Sequence, residues 1–173
     1  MKLLFASDMH GSVRDMFLLT ERIKEEKPDK VVFTGDFCGR GDAKLFKEAV
    51  NKISAPIIYV DGNCDADDGL SRYGLTSCGS EYVDFCFGRR IYATHGHIRN
   101  RRNVPDYIVK GDVFVYGHLH THFIMEQDGI IFVNCGSMAR PRDGENKSYV
   151  VIDDAGIKVK DGEYGETILE RQW

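Results

Sequence analysis

The chain has no apolar run near the roughly 20 residues that a membrane-spanning helix needs, so nothing in it reads as a transmembrane segment. Its start, Met1-Lys2-Leu3-Leu4-Phe5-Ala6, reaches Asp8 too early for the apolar stretch of a signal peptide. Cysteine is sparse: Cys38, Cys64, Cys78, Cys86 and Cys135 are odd in number and never form C-x-x-C. That argues against a disulfide framework and against a structural zinc knuckle, and points to a reducing compartment, the cytoplasm. Positive charge is also short. The chain has 23 Lys and Arg against 27 Asp and Glu, a net charge of −4. Non-specific binding to nucleic acid rests on an excess of Lys and Arg, so no stable nucleic-acid complex is expected, and the lack of a long apolar run leaves no membrane partner expected. No linker, repeat or low-complexity segment interrupts the sequence.

What remains is an ordinary globular composition, 42% hydrophobic and 29% charged over 173 residues, enough for one domain with a core of useful size. The reading is a single domain over residues 1–173 with no cap domain. In the first half, apolar runs alternate with helical periodicity. Lys2–Ser7 reads as a buried strand. Ser12 and Asp15 suggest a helix cap, Met16, Leu19 and Ile23 fall on one helical face, and Pro28 stops the helix. Val31–Phe33 and Ile57–Val60 read as further strands. Between them Ala43 to Ile53 reads as a helix, with Leu45, Phe46, Ala49, Val50 and Ile53 as its stripe. Strands alternating with helices imply a parallel sheet. In the second half, Glu81–Phe87 and Arg90–Thr94 read as strands paired around Gly88-Arg89, and Val104–Lys110 as a short helix. Val113–Tyr116 reads as a buried strand. Asp128-Gly129 and Asp153–Gly156 read as turns of two hairpins. This half is expected to be mainly antiparallel.

Polar clusters stand immediately after these strands: Asp8-Met9-His10, Gly35-Asp36, Gly62-Asn63-Cys64-Asp65, His95-Gly96-His97 and Gly117-His118-Leu119-His120. Five of the six histidines lie between positions 95 and 122. Each piece alone has an ordinary reading as a turn or a solvated loop. Together they differ, because the carboxyl ends of parallel strands open onto one crevice. Carboxylates and amide oxygens suit Mn²⁺ or Mg²⁺, imidazoles suit Zn²⁺, Fe, Ni²⁺ or Co²⁺, and a mixed set is typical of catalytic ions. Gly11, Gly35, Gly62, Gly96 and Gly117 would permit the required turns.

The ordered set D-x-H, G-D, G-N-C-D, H-G-H and G-H-x-H resembles that of the calcineurin-like metallophosphoesterases, specifically their small uncapped phosphodiesterases of the YfcE type. The resemblance runs from Lys2 to about Ile152, and Asn134-Cys135-Gly136-Ser137 resembles the N-P-G-S stretch that closes that fold. It implies an α/β fold, a four-layer α/β/β/α sandwich of two mixed sheets flanked by helices. It also implies two divalent metal ions, manganese first and Ni, Fe, Zn, Co or Mg otherwise. One ion would be held by Asp8, His10, Asp36 and His120, the other by Asp36, Asn63, His95 and His118, with Asp36 bridging. The implied activity is hydrolysis of small phosphodiesters by a metal-bridging hydroxide. Relatives of this type commonly self-associate, so a homo-oligomer is the corresponding expectation.

The pattern departs from many relatives at Cys64, where a histidine helps protonate the leaving group. A thiol is a weaker donor, which favours diesters and good leaving groups; the plain alternative is that Cys64 fills space. Asp65 would orient that histidine and has no evident task without it. Arg40 matches a phosphate-contacting arginine of the G-D-x-V-D-R-G stretch, though Gly39 replaces its Asp, and is taken as a substrate-binding residue alongside a solvated-loop reading. Arg99-Asn100-Arg101-Arg102 reads as a basic rim or as a charged loop. Asn63, Cys64 and His97 are the catalytic candidates, His97 facing substrate rather than ligating. His122 reads as a strand residue. The competing functions are a phosphomonoesterase, disfavoured by Cys64, a nuclease, disfavoured by size and charge, and a protein-binding scaffold of the same fold, as in the retromer complex. The scaffold is disfavoured because all seven ligand positions hold competent donors.

Overall fold

The computed structural model describes residues 1–65, 69–142 and 144–173. It contains two mixed β-sheets packed face to face. The first sheet has strands β1 (Leu3–Ala6), β2 (Lys30–Thr34) and β3 (Ile57–Val60), which run parallel, extended by antiparallel β9 (Ser148–Ile152), β10 (Gly156–Asp161) and β11 (Thr167–Gln172). The second has β4 (Glu81–Cys86), β5 (Arg89–Thr94), β6 (Val113–Tyr116), β7 (His122–Gln127) and β8 (Ile130–Cys135) in the order β4-β5-β6-β8-β7. Its three central strands are parallel to one another and only its edges are antiparallel, so the second half is less antiparallel than its hairpin signals suggest.

Helices α1 (Val13–Glu26) and α2 (Ala43–Val50) cover the outer face of the first sheet. Ser12 caps α1: its hydroxyl accepts from the Asp15 N–H and donates to the Asp15 carboxylate. Met16, Leu19 and Ile23 are buried as the periodicity predicts. Thr20 Oγ1 donates to both Met16 O and Ala49 O, fastening α1 to α2. α2 is three residues shorter than predicted. Asn51 caps it, and the next two N–H groups fold back on Ala49 and Val50, so Ile53 leaves the helix and Leu45 lies exposed.

Leu3, Phe5, Val32 and Val60 of the first sheet meet Ile91, Ala93, Val113, Val115, Ile131 and Val133 of the second in the central core. The outer face of the second sheet, with Tyr92, Phe114, Tyr116 and Phe132, is covered by Val104 and Ile108. The segment predicted as a helix over 104–110 is instead a chain of turns. Ile108 N bonds back to Pro105 O and the Asp112 carboxylate accepts the Val109 N–H, so the ladder closes after one turn. The β4–β5 turn centres on Phe87-Gly88, both with positive φ, one residue earlier than predicted. Strand β11 escapes the alternation rule because only Ile168 of its apolar residues packs inward, on an otherwise solvated edge. No helix among the described residues is long and apolar enough to cross a membrane.

Candidate metal centre

The parallel strands β1, β2 and β3 of one sheet and β5 and β6 of the other end at the same rim of the sandwich, and each of the polar clusters follows one of these ends. Main-chain bonds tie the first two loops together: Asp8 N to Gly35 O, His10 N to Asp36 O and Gly11 N to Phe37 O. The third loop closes on the second through a carboxylate. Asp65, buried, accepts from Phe37 N at 3.3 Å, Cys38 N at 2.8 Å and Gly62 N at 3.0 Å. The residue left without a task by the missing histidine is therefore the staple between the Asp36 and Asn63 loops. Its partners are main-chain donors, which leave no mark in sequence.

The backbone is forced at these ends. Among the described residues eight that are not glycine have positive φ, and five of them are candidate ligands: Asp8 (55°), His10 (46°), Asp36 (49°), His118 (64°) and His120 (60°). Each costs about 1–2 kcal/mol for an L-residue, and such strain concentrates where side chains must be aimed. Space is equally tight. A Cβ on Gly62 would stand 2.3 Å from Asp36 Oδ1, and one on Gly117 would stand 2.6 Å from Asp8 Oδ2.

The side chains converge in two groups around Asp36. On one side, His10 Nε2 lies 3.9 Å from Asp36 Oδ2, 3.8 Å from Asp8 Oδ1 and 3.3 Å from His120 Nε2. On the other, His95 Nε2 lies 3.4 Å from Asp36 Oδ1 and 3.1 Å from Asn63 Oδ1. The His118 ring sits edge-on to that of His95 at 5.0 Å, and the His118 N–H donates to Asp8 Oδ2 at 2.9 Å. Donor atoms of Asp8, His10 and His120, and of Asp8, Asp36 and His95, are mutually close enough to share an ion. Those of His10, Asp36 and Cys64 are as well, so Cys64 stands nearer the metal-binding face than its sequence position implies.

Two histidines have a fixed tautomer. His95 Nδ1 lies 2.9 Å from Thr34 O and His120 Nδ1 lies 2.6 Å from Arg140 O; each nitrogen must donate, which leaves Nε2 of both rings with a free lone pair. Behind them, Asn134 Nδ2 holds Gly117 O at 2.7 Å and Ser137 Oγ holds Asp8 O at 2.8 Å. The Asn134–Ser137 stretch thus supports two of the loops that carry candidate ligands, a role signalled only by its motif.

Burial opposes ionisation of Asp36, but the His95 imidazole and the Cys64 N–H outweigh it and hold the carboxyl far below the usual range. For His95, burial is likewise outweighed by Asp36, and its pKa is raised. Burial lowers His10, His97 and His118. Burial, then the Asp36 charge, pushes the Cys64 thiol to about 11, so it is neutral near pH 7.

The set fits divalent cations on an observation independent of motif. Asp8 Oδ1 is fully buried, and among the described residues its one close polar neighbour is His120 Nε2 at 3.1 Å, which in the neutral ring turns a lone pair rather than a proton toward it. A buried carboxylate oxygen without a partner is costly, and a cation removes the cost.

Two clefts border the group. One, of about 880 Å³, is lined by His10, Cys64, Arg40 and Arg140 among others. The other, of about 300 Å³, has His97, His118, Arg101, Arg102 and Tyr116 in its wall. Exposed Arg40 thus stands in the wall of the larger cleft and exposed His97 in that of the smaller, both beside the candidate ligands. His122 lies apart, its Nδ1 3.0 Å from Glu145.

The model of the calcineurin-like phosphoesterase superfamily domain matches residues 1–155. Among curated proteins, phosphodiesterase YfcE of Escherichia coli K12 is 32% identical over 171 residues, covering 92% of this chain and 91% of the relative. A phosphodiesterase of Methanocaldococcus jannaschii is 27% identical over 180 residues, covering 98% of this chain and all of the relative (100%). The solved structure of E. coli YfcE, described as a phosphoesterase, superposes with a TM-score of 0.89 at 27% identity over 99% of each chain. Vps29 of Entamoeba histolytica, solved with Zn²⁺, superposes with a TM-score of 0.69 at 20% identity over 99% of each chain, which speaks for the fold alone.

Proposed function

This chain belongs to the calcineurin-like phosphoesterase superfamily, and from that premise we propose that it is a phosphodiesterase acting on small phosphodiesters with two divalent ions. One observation carries the reading: the two oxygens of Asp36 face opposite ways, Oδ2 toward His10 and Oδ1 toward His95. A carboxylate flanked so is suited to bridge two cations, one with Asp8, His10 and His120, the other with Asn63, His95 and His118. Bound there, such ions would supply an activated water and offset charge on the phosphoryl oxygens. The oxygen and imidazole donors suit Mn²⁺, with Ni, Fe, Zn, Co and Mg as chemically similar alternatives.

The remaining roles fall to this chain's own groups. Asn63 presents its amide oxygen beside His95 and so faces both ion and substrate. His97, exposed at the rim, can reach the leaving-group oxygen. Arg40, exposed in the larger cleft, can engage a phosphoryl oxygen. Cys64, neutral near pH 7, brings no negative charge to the phosphate and is a poor proton donor, which favours diesters over monoesters. Five free cysteines fit a reducing compartment, the cytoplasm.

The test is hydrolysis of bis(p-nitrophenyl) phosphate against p-nitrophenyl phosphate with Mn²⁺, using Asp36→Asn as the blank. Diester turnover that exceeds monoester turnover and disappears in the variant is the expected result. Faster monoester turnover would make the protein a phosphomonoesterase, and turnover of neither by metal-loaded protein would favour a binding scaffold.

A further inference from the structure

The smaller cleft has a construction of its own. Its outer wall is the 97–103 loop, which is fastened at several points. Asn100 Nδ2 donates to Gly96 O at 3.1 Å, Asn100 Oδ1 accepts from Arg102 N at 3.0 Å, and Asn103 Nδ2 donates to Ile98 O at 2.9 Å. Arg99 is engaged outside the cleft, by Asn103 Oδ1 at 3.1 Å and Glu81 Oε1 at 3.6 Å. Arg101 and Arg102 line the cleft and have no carboxylate partner among the described residues, although the chain as a whole is acidic. The floor is Tyr116, whose ring is buried and whose hydroxyl is buried with no hydrogen-bond partner. Arg101 is near enough for its charge to oppose the rise that burial imposes on that phenol. On the inner side the cleft is walled by His118, a candidate ligand, and by His97, whose ring centre stands 6.3 Å from that of His118, so the cleft opens beside the candidate metal centre.

We propose that this cleft is the binding site for one ester arm of the substrate and that this arm carries a second anionic group, a phosphate, held by Arg101 and Arg102. The proposal rests on the phosphodiesterase reading and names its substrate class: a phosphodiester with a further phosphate on one arm. At about 300 Å³ the cleft takes a small arm, at the lower end of ligand sites at about 300–1,000 Å³. Guanidinium groups pair with phosphate through two parallel hydrogen bonds, and two such groups without internal carboxylates are left to an incoming anion. His97, Leu119 and Tyr116 give the part of the arm between the two phosphates an apolar and aromatic wall.

The test compares two probes that differ by one phosphate, thymidine 5′-(p-nitrophenyl phosphate) and its 3′-phosphorylated form, on the Mn²⁺-loaded protein. The expected result is at least a fivefold higher kcat/KM for the 3′-phosphorylated probe, and a ratio near one in Arg101→Ala/Arg102→Ala. A variant that folds or loads metal poorly lowers both rates together and leaves the ratio intact. A ratio near one in the unmodified protein overturns the proposal. So does a preference that survives the double substitution but is lost in Arg40→Ala, which would assign the arm to the larger cleft. Calorimetry with thymidine 3′,5′-bisphosphate against thymidine 5′-monophosphate reads the cleft without turnover. An affinity gap of about tenfold that needs both arginines, in a protein hydrolysing neither probe, would sink the diesterase reading and sustain the cleft. Hydrolysis with no gap in either assay would do the reverse.

Discussion

At the scale of single residues, the candidate centre is held in place by groups outside the candidate ligand set. Asp65 accepts three main-chain N–H groups from two loops, and its carboxylate decides how far Asp36 stands from Asn63. Asp65→Ala strands those donors and is expected to cost about 2–4 kcal/mol of stability. It should also weaken Mn²⁺ binding by about 10–100-fold, as loss of a supporting group does. Calorimetric titration of the folded variant checks this, with Asp65→Asn as an intermediate case; unchanged affinity in a merely less stable protein would reduce Asp65 to a fold element. Cys64 supports a smaller expectation. Its neutral thiol contributes little to departure of nitrophenolate, so Cys64→Ala should keep diester turnover within about threefold, the scale of a weak donor. A loss of a hundredfold would give the thiol a direct catalytic role. The candidate ligands were legible because carboxylates and imidazoles stand directly behind apolar runs. The task of Asp65 was not, since two of its three partners are backbone N–H groups 27 and 28 positions away in the chain, and Asn134 and Ser137 stood out only through their motif.

At the scale of elements, the centre depends on α1 and the strands around it keeping their places. Glu26, at the last turn of α1, meets Lys160 of β10 and, at 3.4 Å, Lys2. Burial alone would raise its pKa, but Lys160 and then Lys2 outweigh burial and lower it. A carboxyl with a depressed folded-state pKa contributes stability above its unfolded pKa and loses it as the pH falls through the folded value. Glu26→Gln should therefore destabilise by about 1–2 kcal/mol at pH 7. The deficit should shrink as the pH drops below the ordinary carboxylate range, measured as urea midpoints from pH 7 to 3. A deficit that does not change with pH would make the contact one of packing. Elements whose interior dictates their pattern were legible: β1, β2, β3, β6 and the face of α1. Elements decided by a few tertiary contacts were not. The 104–110 turns look helical by spacing, yet Asp112 captures the Val109 N–H before a second turn forms. β11 has too few inward apolar residues to alternate visibly.

For the whole molecule, the arrangement gathers buried carboxylates and strained backbone at one rim and leaves Asp8 Oδ1 without a donor. Such a rim is stabilised by whatever binds it in the folded state only. Saturating Mn²⁺ at about 100 times Kd contributes about 2.7 kcal/mol per ion. For a chain of this size that corresponds to about 5–10 °C in Tm. Removal of metal with EDTA should lower Tm accordingly, and an unchanged melting curve would contradict a centre of this kind. The layered architecture and its polar rim were legible from the order of motifs, while the turns covering the second sheet were not.

The central claim is a pair of ions bridged by Asp36, and counting the ions tests it most directly. Mn²⁺ titration of metal-free protein, followed by calorimetry and by diester turnover in the same samples, should show two ions per chain, with turnover appearing only as the second site fills. Asp36→Asn should bind fewer than two and turn over nothing. Full turnover at one ion per chain, or two ions retained by Asp36→Asn with activity intact, would contradict the account.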